Sequence, residues 1–495
     1  MKRYTSLVAT TALLATLILS GCKGFLDEYS QDTIVPTTTK DYSEILYGDA
    51  YFKEVALPYR YLDLLTDDVT CKINAEASQS EDKRKTGYGY YTWQDNPELS
   101  PTKVLNTDLT WLTLYEHILT ANIILDALDD MKGTVEEKAQ LEGEAHAIRL
   151  FAYFMLTNIY GEPYDPATAS TAMGVPLNYH HYAEDVSFPR ATVAEDYAEM
   201  EKDIQGAHEA FAKASGERNI FRWNHAATAV LASRVYLHMQ QWDKVIEYAD
   251  LALSLNGALR DLNTLPAPGS DEAKKFICKD NKEINYSYGF GNIEELINNY
   301  AYYFGPSDDL MSSFGKGDLR YNGEKGYFIN TTKKNVAGWF APPKWVITTD
   351  IVKTDMSEVT GTYGFAIRSA EAYLNRAEAY AMKGDLSRAM KDLNTLRRAR
   401  ITPEHATLAT PATQDEVIRL IREERRREFC FEQLRWFDLR RQGMPELHHT
   451  YITGNGKEIG TEEYTLPAKS PKYVLPAPQV VRESDAVLGG GKTTK

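Results

Sequence analysis

Two stretches of the chain, 231–253 and 370–396, share one spacing of small and bulky residues, which constrains the fold more than any other feature. Small residues recur where two antiparallel helices would touch, an aromatic residue fills the gap, and Gly384 closes the turn of the second stretch. The matched positions hold Ser233, Tyr236, Val245, Ala249 and Ala252 in one stretch and Ala377, Tyr380, Ala389, Leu393 and Leu396 in the other. Because this is tetratricopeptide spacing, the sequence predicts a mainly α-helical protein scaffolded by helical hairpins.

Weaker versions of the same spacing add two more hairpins. The first of these is expected to place its second helix at Val135–Tyr160, and the last is expected to hold one long helix from Asp415 to Arg441. Four hairpins are therefore predicted within a single domain, residues 41–495, at about 108–160, 222–256, 366–400 and 412–441.

Elsewhere the helical period is lost. Residues 257–364 carry short aromatic or β-branched runs among Gly, Asn, Asp and Pro, which predicts an irregular, loop-rich insertion. Nearer the N-terminus a helix is expected at 40–65, followed by a long loop of the functional kind at 66–107. Thr192 is expected to cap a helix, and the tail from Gly443 is expected to be a loop.

The first 21 residues have the form of a lipoprotein signal peptide. Two basic residues precede an apolar run at 7–19 that is too short to span a bilayer. The run ends in Leu-Ser-Gly-Cys, the form of a lipobox, so cleavage before Cys22 and lipidation of its thiol are predicted. Residues 22–40 are polar and rich in Thr, as expected for a leader that holds the domain away from the membrane.

The charge of the chain limits its partners. A formal net charge of −15 would repel a phosphate backbone, so nucleic acid is not expected as a ligand. In the predicted long helix, arginines alternate with carboxylates. The pairs spaced at i, i+3 are Glu424–Arg427, Glu432–Arg435 and Arg435–Asp438. This pattern predicts a partly buried lattice of ion pairs that holds the terminal helix to its neighbours.

Motifs of known catalytic mechanisms are missing from the sequence. It contains no G-x-S-x-G, no H-E-x-x-H, no phosphate loop and no G-x-G-x-x-G that opens a helix. His180-His181 and His448-His449 are adjacent pairs without further metal ligands nearby. With 70 carboxylates, however, a pair suited to glycoside hydrolysis is left open.

Aromatic clusters in the irregular segments are the main candidates for ligand binding. Tyr and Trp rings stack on the apolar faces of sugars, while flanking Asn, Asp and Arg bind hydroxyl groups. The three clusters are Tyr88, Tyr90, Tyr91 and Trp93; Tyr300, Tyr302, Tyr303 and Phe304; and Trp339, Phe340 and Trp345. Internal packing of the irregular segments is the alternative for each cluster.

These features resemble the SusD/RagB family of outer-membrane lipoproteins of Bacteroidota. The resemblance starts at the lipobox and Phe25-Leu26-Asp27, and covers nearly the whole chain. It continues through Trp111, Tyr115, Ala121-Asn122, Glu144, Ala145, Arg149, Ala152, Tyr153, Tyr160-Gly161 and Arg190-Ala191-Thr192-Val193. The most specific stretch contains Glu424-Arg425-Arg426, Glu428, Phe431, Glu432 and Arg435-Trp436-Phe437-Asp438-Leu439.

The resemblance implies a non-enzymatic, cell-surface protein that captures oligosaccharide and hands it to a SusC-like TonB-dependent transporter. It implies a lipid anchor in the outer membrane, a helical face toward the transporter, and a ligand on the irregular half. Cofactors are not expected, and a structural calcium ion is left open. A RagB-like oligopeptide binder and a lipid-tethered glycosidase are the alternatives.

Overall fold

The computed structural model describes most of the chain between Val35 and Ser484. The described residues are 35–52, 57–71, 80–182, 187–215, 218–265, 276, 281–289, 304–321, 329–330, 340–341, 365–454 and 458–484. The predicted signal peptide and its lipidation site, Cys22, lie outside them.

Helices form most of the described structure. The α-helices are α1 (Thr39–Asp49), α2 (Ser80–Tyr91), α3 (Thr110–Ala127), α4 (Val135–Tyr160), α5 (Val193–Phe211), α6 (His225–His238), α7 (Trp242–Leu255), α8 (Asp308–Ser313), α9 (Ser369–Met382), α10 (Leu386–Arg398), α11 (Pro403–Ala406), α12 (Gln414–Phe429), α13 (Arg435–Arg441) and α14 (Gln479–Ser484). Short 3-10 helices cover Arg60–Leu65, Leu262–Thr264 and Pro471–Tyr473. Within the described ranges, every helix is too short or too polar to cross a bilayer.

The strands form small antiparallel sheets of two strands each. The pairs are β1 (Val69–Cys71) with β5 (Phe304–Pro306), β2 (Met173–Pro176) with β3 (Arg190–Thr192), β4 (Ile284–Tyr288) with β8 (Phe365–Arg368), β6 (Ile329–Asn330) with β7 (Phe340–Ala341), and β9 (Leu447–Thr453) with β10 (Gly460–Leu466). Two pairs join the insertion to the body. Tyr288 lies opposite Phe365, and Cys71 lies opposite Phe304.

The two clear repeat hairpins are confirmed as α6–α7 and α9–α10. Ala377 and Ala389 have no exposed surface, as expected where two helices approach closely. Gly384 has a φ of +81° in the turn, a conformation that L side chains rarely adopt. Helix α9 also packs against α7, so the two hairpins form one helical stack.

Local capping chemistry sets the start of two long helices. Thr134 precedes α4, where its hydroxyl accepts the backbone N–H of Glu137 while the Glu137 carboxylate accepts the N–H of Thr134. Thr192 and Glu195 form the same capping box at α5, which confirms the predicted cap. The α3–α4 hairpin lies within the range predicted for it, and α4 has the predicted bounds.

Two predictions for the N-terminal part are wrong. The helix expected at 40–65 ends at Asp49, next to Gly48, whose residue type has low helix propensity, and a separate 3-10 helix covers Arg60–Leu65. The loop expected at 66–107 contains helix α2, whose periodicity is obscured by Gly87 and Gly89. Both glycines are needed for packing. A Cβ at Gly87 would lie 2.9 Å from the Phe304 ring, and one at Gly89 would lie 2.3 Å from a backbone oxygen.

Two predictions near the C-terminus are also wrong. The expected long helix is interrupted after Phe429, where Phe431 and Gln433 have positive φ values of 58° and 63°. This reversal directs Trp436 and Phe437 into the core, where they are at most 1% exposed. The expected loop tail contains the β9–β10 hairpin, which packs on α2 and β1.

The predicted lattice of ion pairs is confirmed, but several of its partners differ. Glu424 and Arg427 pair at 3.0 Å as expected. Glu432 and Arg435 do not pair with each other, because Glu432 binds Arg368 at 2.7 Å and Arg435 binds Asp67 at 2.8 Å. Asp438 binds Arg425 and Arg441.

At the centre of this lattice is a buried ion-pair network around Glu428. Its carboxylate accepts hydrogen bonds from Arg320 at 3.0 Å, Arg368 at 2.7 Å and Arg400 at 3.0 Å, and Glu283 neutralises the last two. Burial alone would raise the pKa of Glu428, but the three guanidinium groups hold it well below its usual range. The network joins the insertion, β8 and the segment that follows α10 to helix α12.

Candidate functional site

Helix α2 carries three of the predicted ligand residues and lies between two small sheets. The hydroxyl of Tyr91 accepts the backbone N–H of Cys71 on β1 at 2.9 Å and donates to the carbonyl of Thr450 on β9 at 3.1 Å. Its ring lies 4.9 Å from that of Phe304 on β5. Tyr91 therefore ties β1, β5 and β9 together, and only 1% of its surface is exposed.

Tyr90 and Trp93 also lie in the interior. Tyr90 stacks on Tyr61 with ring centroids 4.0 Å apart. Trp93 stacks on His449 at 4.2 Å, and its indole nitrogen donates to the carbonyl of Leu65 at 3.1 Å. With 6% and 4% of their surfaces exposed, these two side chains have their faces covered by protein, unlike the open aromatic cluster expected from the sequence.

Tyr88 differs from its neighbours because it remains half-buried at the surface. Its ring meets Tyr451 and Tyr464 edge-on, with centroids 5.0 and 6.1 Å away. Its hydroxyl lies 3.0 Å from that of Tyr464, which donates to Glu462 at 2.6 Å. Partial burial and this bond to Glu462 raise the pKa of Tyr464, so it stays a neutral donor at physiological pH. We call Tyr88, Tyr451, Tyr464 and Glu462 together the tyrosine cluster.

The tyrosine cluster combines features that suit a hydroxyl-rich ligand. It offers a partly exposed ring, phenol hydroxyl groups and an exposed carboxylate within a few ångströms of one another. The neighbouring hairpin surface adds Thr450, whose hydroxyl donates to Glu463 at 2.9 Å. Rings can stack on a sugar while carboxylates accept from its hydroxyl groups.

Sequence reasoning missed the partners of Tyr88 because they come from the tail that was expected to be a loop. Tyr464 lies 376 residues from Tyr88 in the chain. The available signals were the aromatic and β-branched residues in 447–453 and the polar–bulky alternation from Glu463 to Leu466, both of which are typical of strands.

The other predicted ligand residues, Tyr302, Tyr303, Trp339 and Trp345, lie outside the described residues, as does Tyr300. Two of the strands nearby in the chain are described. Phe304 follows Tyr303 and pairs with Cys71 on β1, beside Tyr91. Phe340 follows Trp339 and pairs with Asn330.

The adjacent histidine pairs have protein partners. His449 is stacked between Tyr91 and Trp93, and its two ring nitrogens lie 2.6 and 2.9 Å from carbonyl oxygens. Burial lowers its pKa. His181 lies 3.4 Å from Asp126. Among the described residues, no three His, Cys, Asp or Glu side chains are grouped so that they could hold a metal ion.

Comparisons with known families match both halves of the chain. Residues 25–237 match a family model described as starch-binding and associating with the outer membrane. Residues 272–484 match the model of the SusD family. A search of curated proteins found no match.

Solved structures share the fold at low sequence identity. A SusD-like carbohydrate-binding protein from Bacteroides vulgatus ATCC 8482 is 21% identical with a TM-score of 0.66, covering 91% of this chain and 97% of that one. A SusD superfamily protein from Bacteroides thetaiotaomicron VPI-5482 is 21% identical with a TM-score of 0.67, and the match covers 91% of this chain and 99% of that one. A laminarin-binding SusD-like protein is 18% identical with a TM-score of 0.61, covering 83% and 92%.

Proposed function

Because the chain belongs to the SusD/RagB family, we propose that it is a cell-surface lipoprotein that captures oligosaccharides and delivers them, uncleaved, to a SusC-like TonB-dependent transporter. The observation that carries this proposal is the match of both halves of the chain to models of one family, whose first model is described as starch-binding. Two structural neighbours are named for carbohydrate or laminarin binding.

The tyrosine cluster is our proposed part of the glycan site among the described residues. Tyr88 stacks on one sugar, and Glu462 and the Tyr464 hydroxyl bind its hydroxyl groups. Tyr302, Tyr303, Trp339 and Trp345 are proposed to complete the site from the insertion. This arrangement is supported by the pairing of β1 with β5, which brings the strand after Tyr303 beside the helix that carries Tyr88.

Attachment to the outer membrane is proposed through lipid on Cys22, with residues 22–40 as the leader. The family model that matches residues 25–237 is described as associating with the outer membrane, which supports this location. The helical hairpins supply a rigid face for the transporter. In this proposal the hairpins face the transporter, and the tyrosine cluster and the insertion bind the ligand.

The proposal is tested by affinity electrophoresis of the full-length protein in detergent against starch, laminarin, xylan, mannan, pectin and fructan. At least one polymer should retard the protein without release of reducing ends. Tyr88→Ala should weaken that binding by about tenfold, the usual effect of losing one central aromatic contact. Tyr182→Ala, an exposed tyrosine on another loop, is the matched control and should bind normally.

Three outcomes would contradict the proposal. Binding of oligopeptides alone would replace glycan by peptide as the ligand. Polymer cleavage that is abolished by one carboxylate substitution would make the protein an enzyme. Normal binding by a folded Tyr88→Ala variant would remove the tyrosine cluster from the site.

A further inference from the structure

A polar cleft of about 860 Å³ opens on the side of the molecule formed by α1, the first half of α4 and the connection from α5 to α6. It shares no lining residue with α2, the β9–β10 hairpin or the tyrosine cluster. Its volume lies in the range of pockets that enclose small ligands. The side chains used in the following argument are Lys40, Gln140, Arg218, Arg222, Trp223 and His225.

Arg222 is held rigidly in the wall of this cleft. Its Nε and Nη2 bind the buried carboxylate of Glu144, and Nη2 also donates to Ser43 at 2.9 Å. Tyr51 and Gln140 donate to the same carboxylate at 2.8 and 2.7 Å. Glu144 is therefore fully engaged in orienting Arg222. No described residue accepts a hydrogen bond from the remaining nitrogen, Nη1, so this donor is free for a ligand.

Further unused hydrogen-bonding groups line the same cleft. Arg218 is exposed and, among the described residues, bonds only to the side-chain oxygen of Asn285, at 2.7 Å. The amide oxygen of Gln140 accepts no hydrogen bond from the described residues, so the wall offers an acceptor as well as donors. Trp223 stacks on Tyr286 with centroids 4.4 Å apart and is only 2% exposed, so it packs behind the cleft wall with its ring covered by protein.

The charges of the lining cancel. The three basic residues are Lys40, Arg218 and Arg222, and the three acidic residues are Glu136, Glu137 and Glu144. Burial, aided by the nearby ring of His208, lowers the pKa of His225 to about 4, so this histidine is uncharged at neutral pH. A balanced lining favours a neutral ligand over an anion or a cation. Fixed donors and an acceptor in a lining whose charges balance suit a neutral ligand that is rich in hydroxyl groups.

We propose that this polar cleft is a second binding site, separate from the tyrosine cluster, for a short segment of neutral oligosaccharide. The inference rests on the proposed glycan-binding function. Two sites on one chain raise the avidity for a long polymer, because binding at one increases the effective concentration at the other.

The test follows backbone hydrogen exchange of the full-length protein with and without maltotetraose, laminaritetraose, xylotetraose or mannotetraose. The sugar that binds should slow exchange at 211–225 as well as near α2 and β9. Ser215→Trp places an indole in the cleft without removing a described hydrogen bond, and should abolish protection at 211–225 only. Arg218→Ala should weaken the affinity of the cleft for the sugar about tenfold, so that about ten times more sugar is needed for the same protection of 211–225.

Matched controls separate these effects from general destabilisation. Ser387→Trp and Arg398→Ala make the same substitutions at exposed positions on α10 and should retain both protected regions. Each variant is checked by its melting temperature.

The outcomes distinguish the two proposals. Protection near α2 and β9 alone, or equal protection of 211–225 in Ser215→Trp, overturns the second site and leaves the proposed function intact. Protection of 211–225 by tetraalanine but by no sugar also overturns it. The absence of protection anywhere, with no heat of binding by calorimetry, overturns the proposed function and the second site together.

Discussion

Helices α12 and α2 are the two most conspicuous segments of the sequence, and the structure uses both chiefly to hold the fold together. Helix α12 carries charge, and α2 carries aromatic residues. Glu428 on α12 and Tyr91 on α2 each join three elements that are distant in sequence. They differ in what remains exposed. The Glu428 network is fully buried, whereas α2 leaves Tyr88 at the surface.

This comparison teaches that residue type does not separate structural from binding residues. Tyr88, Tyr90 and Tyr91 lie within four positions of one another, yet only Tyr88 is left partly open to solvent. Tyr90 is covered by Tyr61 of the 3-10 helix Arg60–Leu65, and Tyr91 is covered where β1, β5 and β9 converge on α2. Exposure, and so availability to a ligand, is set by what packs against each residue.

The largest effect is expected from Glu428→Gln, which removes the carboxylate shared by Arg320, Arg368 and Arg400. The uncompensated buried charge should lower the free energy of unfolding by about 3–5 kcal/mol. Chemical denaturation measures this. Glu423→Gln on the same helix, where the side chain is 43% exposed and binds only Arg419 among the described residues, should cost less than about 0.5 kcal/mol. Equal effects for the two variants would contradict the central place of the network.

The next largest effect is expected from Trp93→Ala. Loss of its stacking on His449 and of its bond to Leu65 should lower the free energy of unfolding by about 3–4 kcal/mol, as for other large buried aromatic residues. In molecules that remain folded, glycan affinity should change by less than about threefold, since the ring is covered. Denaturation and calorimetry measure the two quantities. A stable variant with weakened glycan binding would place Trp93 in the site and contradict its structural assignment.

The smallest effect on stability is expected from Tyr464→Phe. The hydroxyl that it removes is partly exposed, so the free energy of unfolding should fall by no more than about 0.5–1 kcal/mol. Tyr61→Phe is the buried counterpart. Its hydroxyl donates to Asp108 at 2.9 Å, and its loss should cost about 1.5–3 kcal/mol because the acceptor is charged. The order of these two costs would reverse if the tyrosine cluster were the more buried of the two sites.

Local signals predicted the helical hairpins well. The spacing of small residues in α6–α7 and α9–α10 and the capping threonine at α5 act over a few residues, so they can be read without knowledge of the fold. The prediction failed where a distant contact overrides local preference. Gly87 and Gly89 weaken the helical signal of α2, yet both are required by the close approach of Phe304 and Pro97.

The candidate site was less predictable than the fold. Aromatic residues around 88–93 marked the segment that carries Tyr88, but the sequence could not show that Tyr90, Tyr91 and Trp93 are covered. The polar cleft was missed entirely, because Arg218, Arg222 and Trp223 adjoin one another in sequence but meet α1 and α4 only in the fold.

By itself, the sequence determined the helical class, the repeat spacing and the family of this protein, since each depends on residues close together in the chain or on motifs that can be matched directly. Only the tertiary structure decided which carboxylates pair with Arg368, which tyrosines contact Tyr88, and which hydrogen-bond donors around the polar cleft remain unused. The physical reason is that these partners lie tens to hundreds of residues apart, so their pairing and burial arise when distant elements pack together.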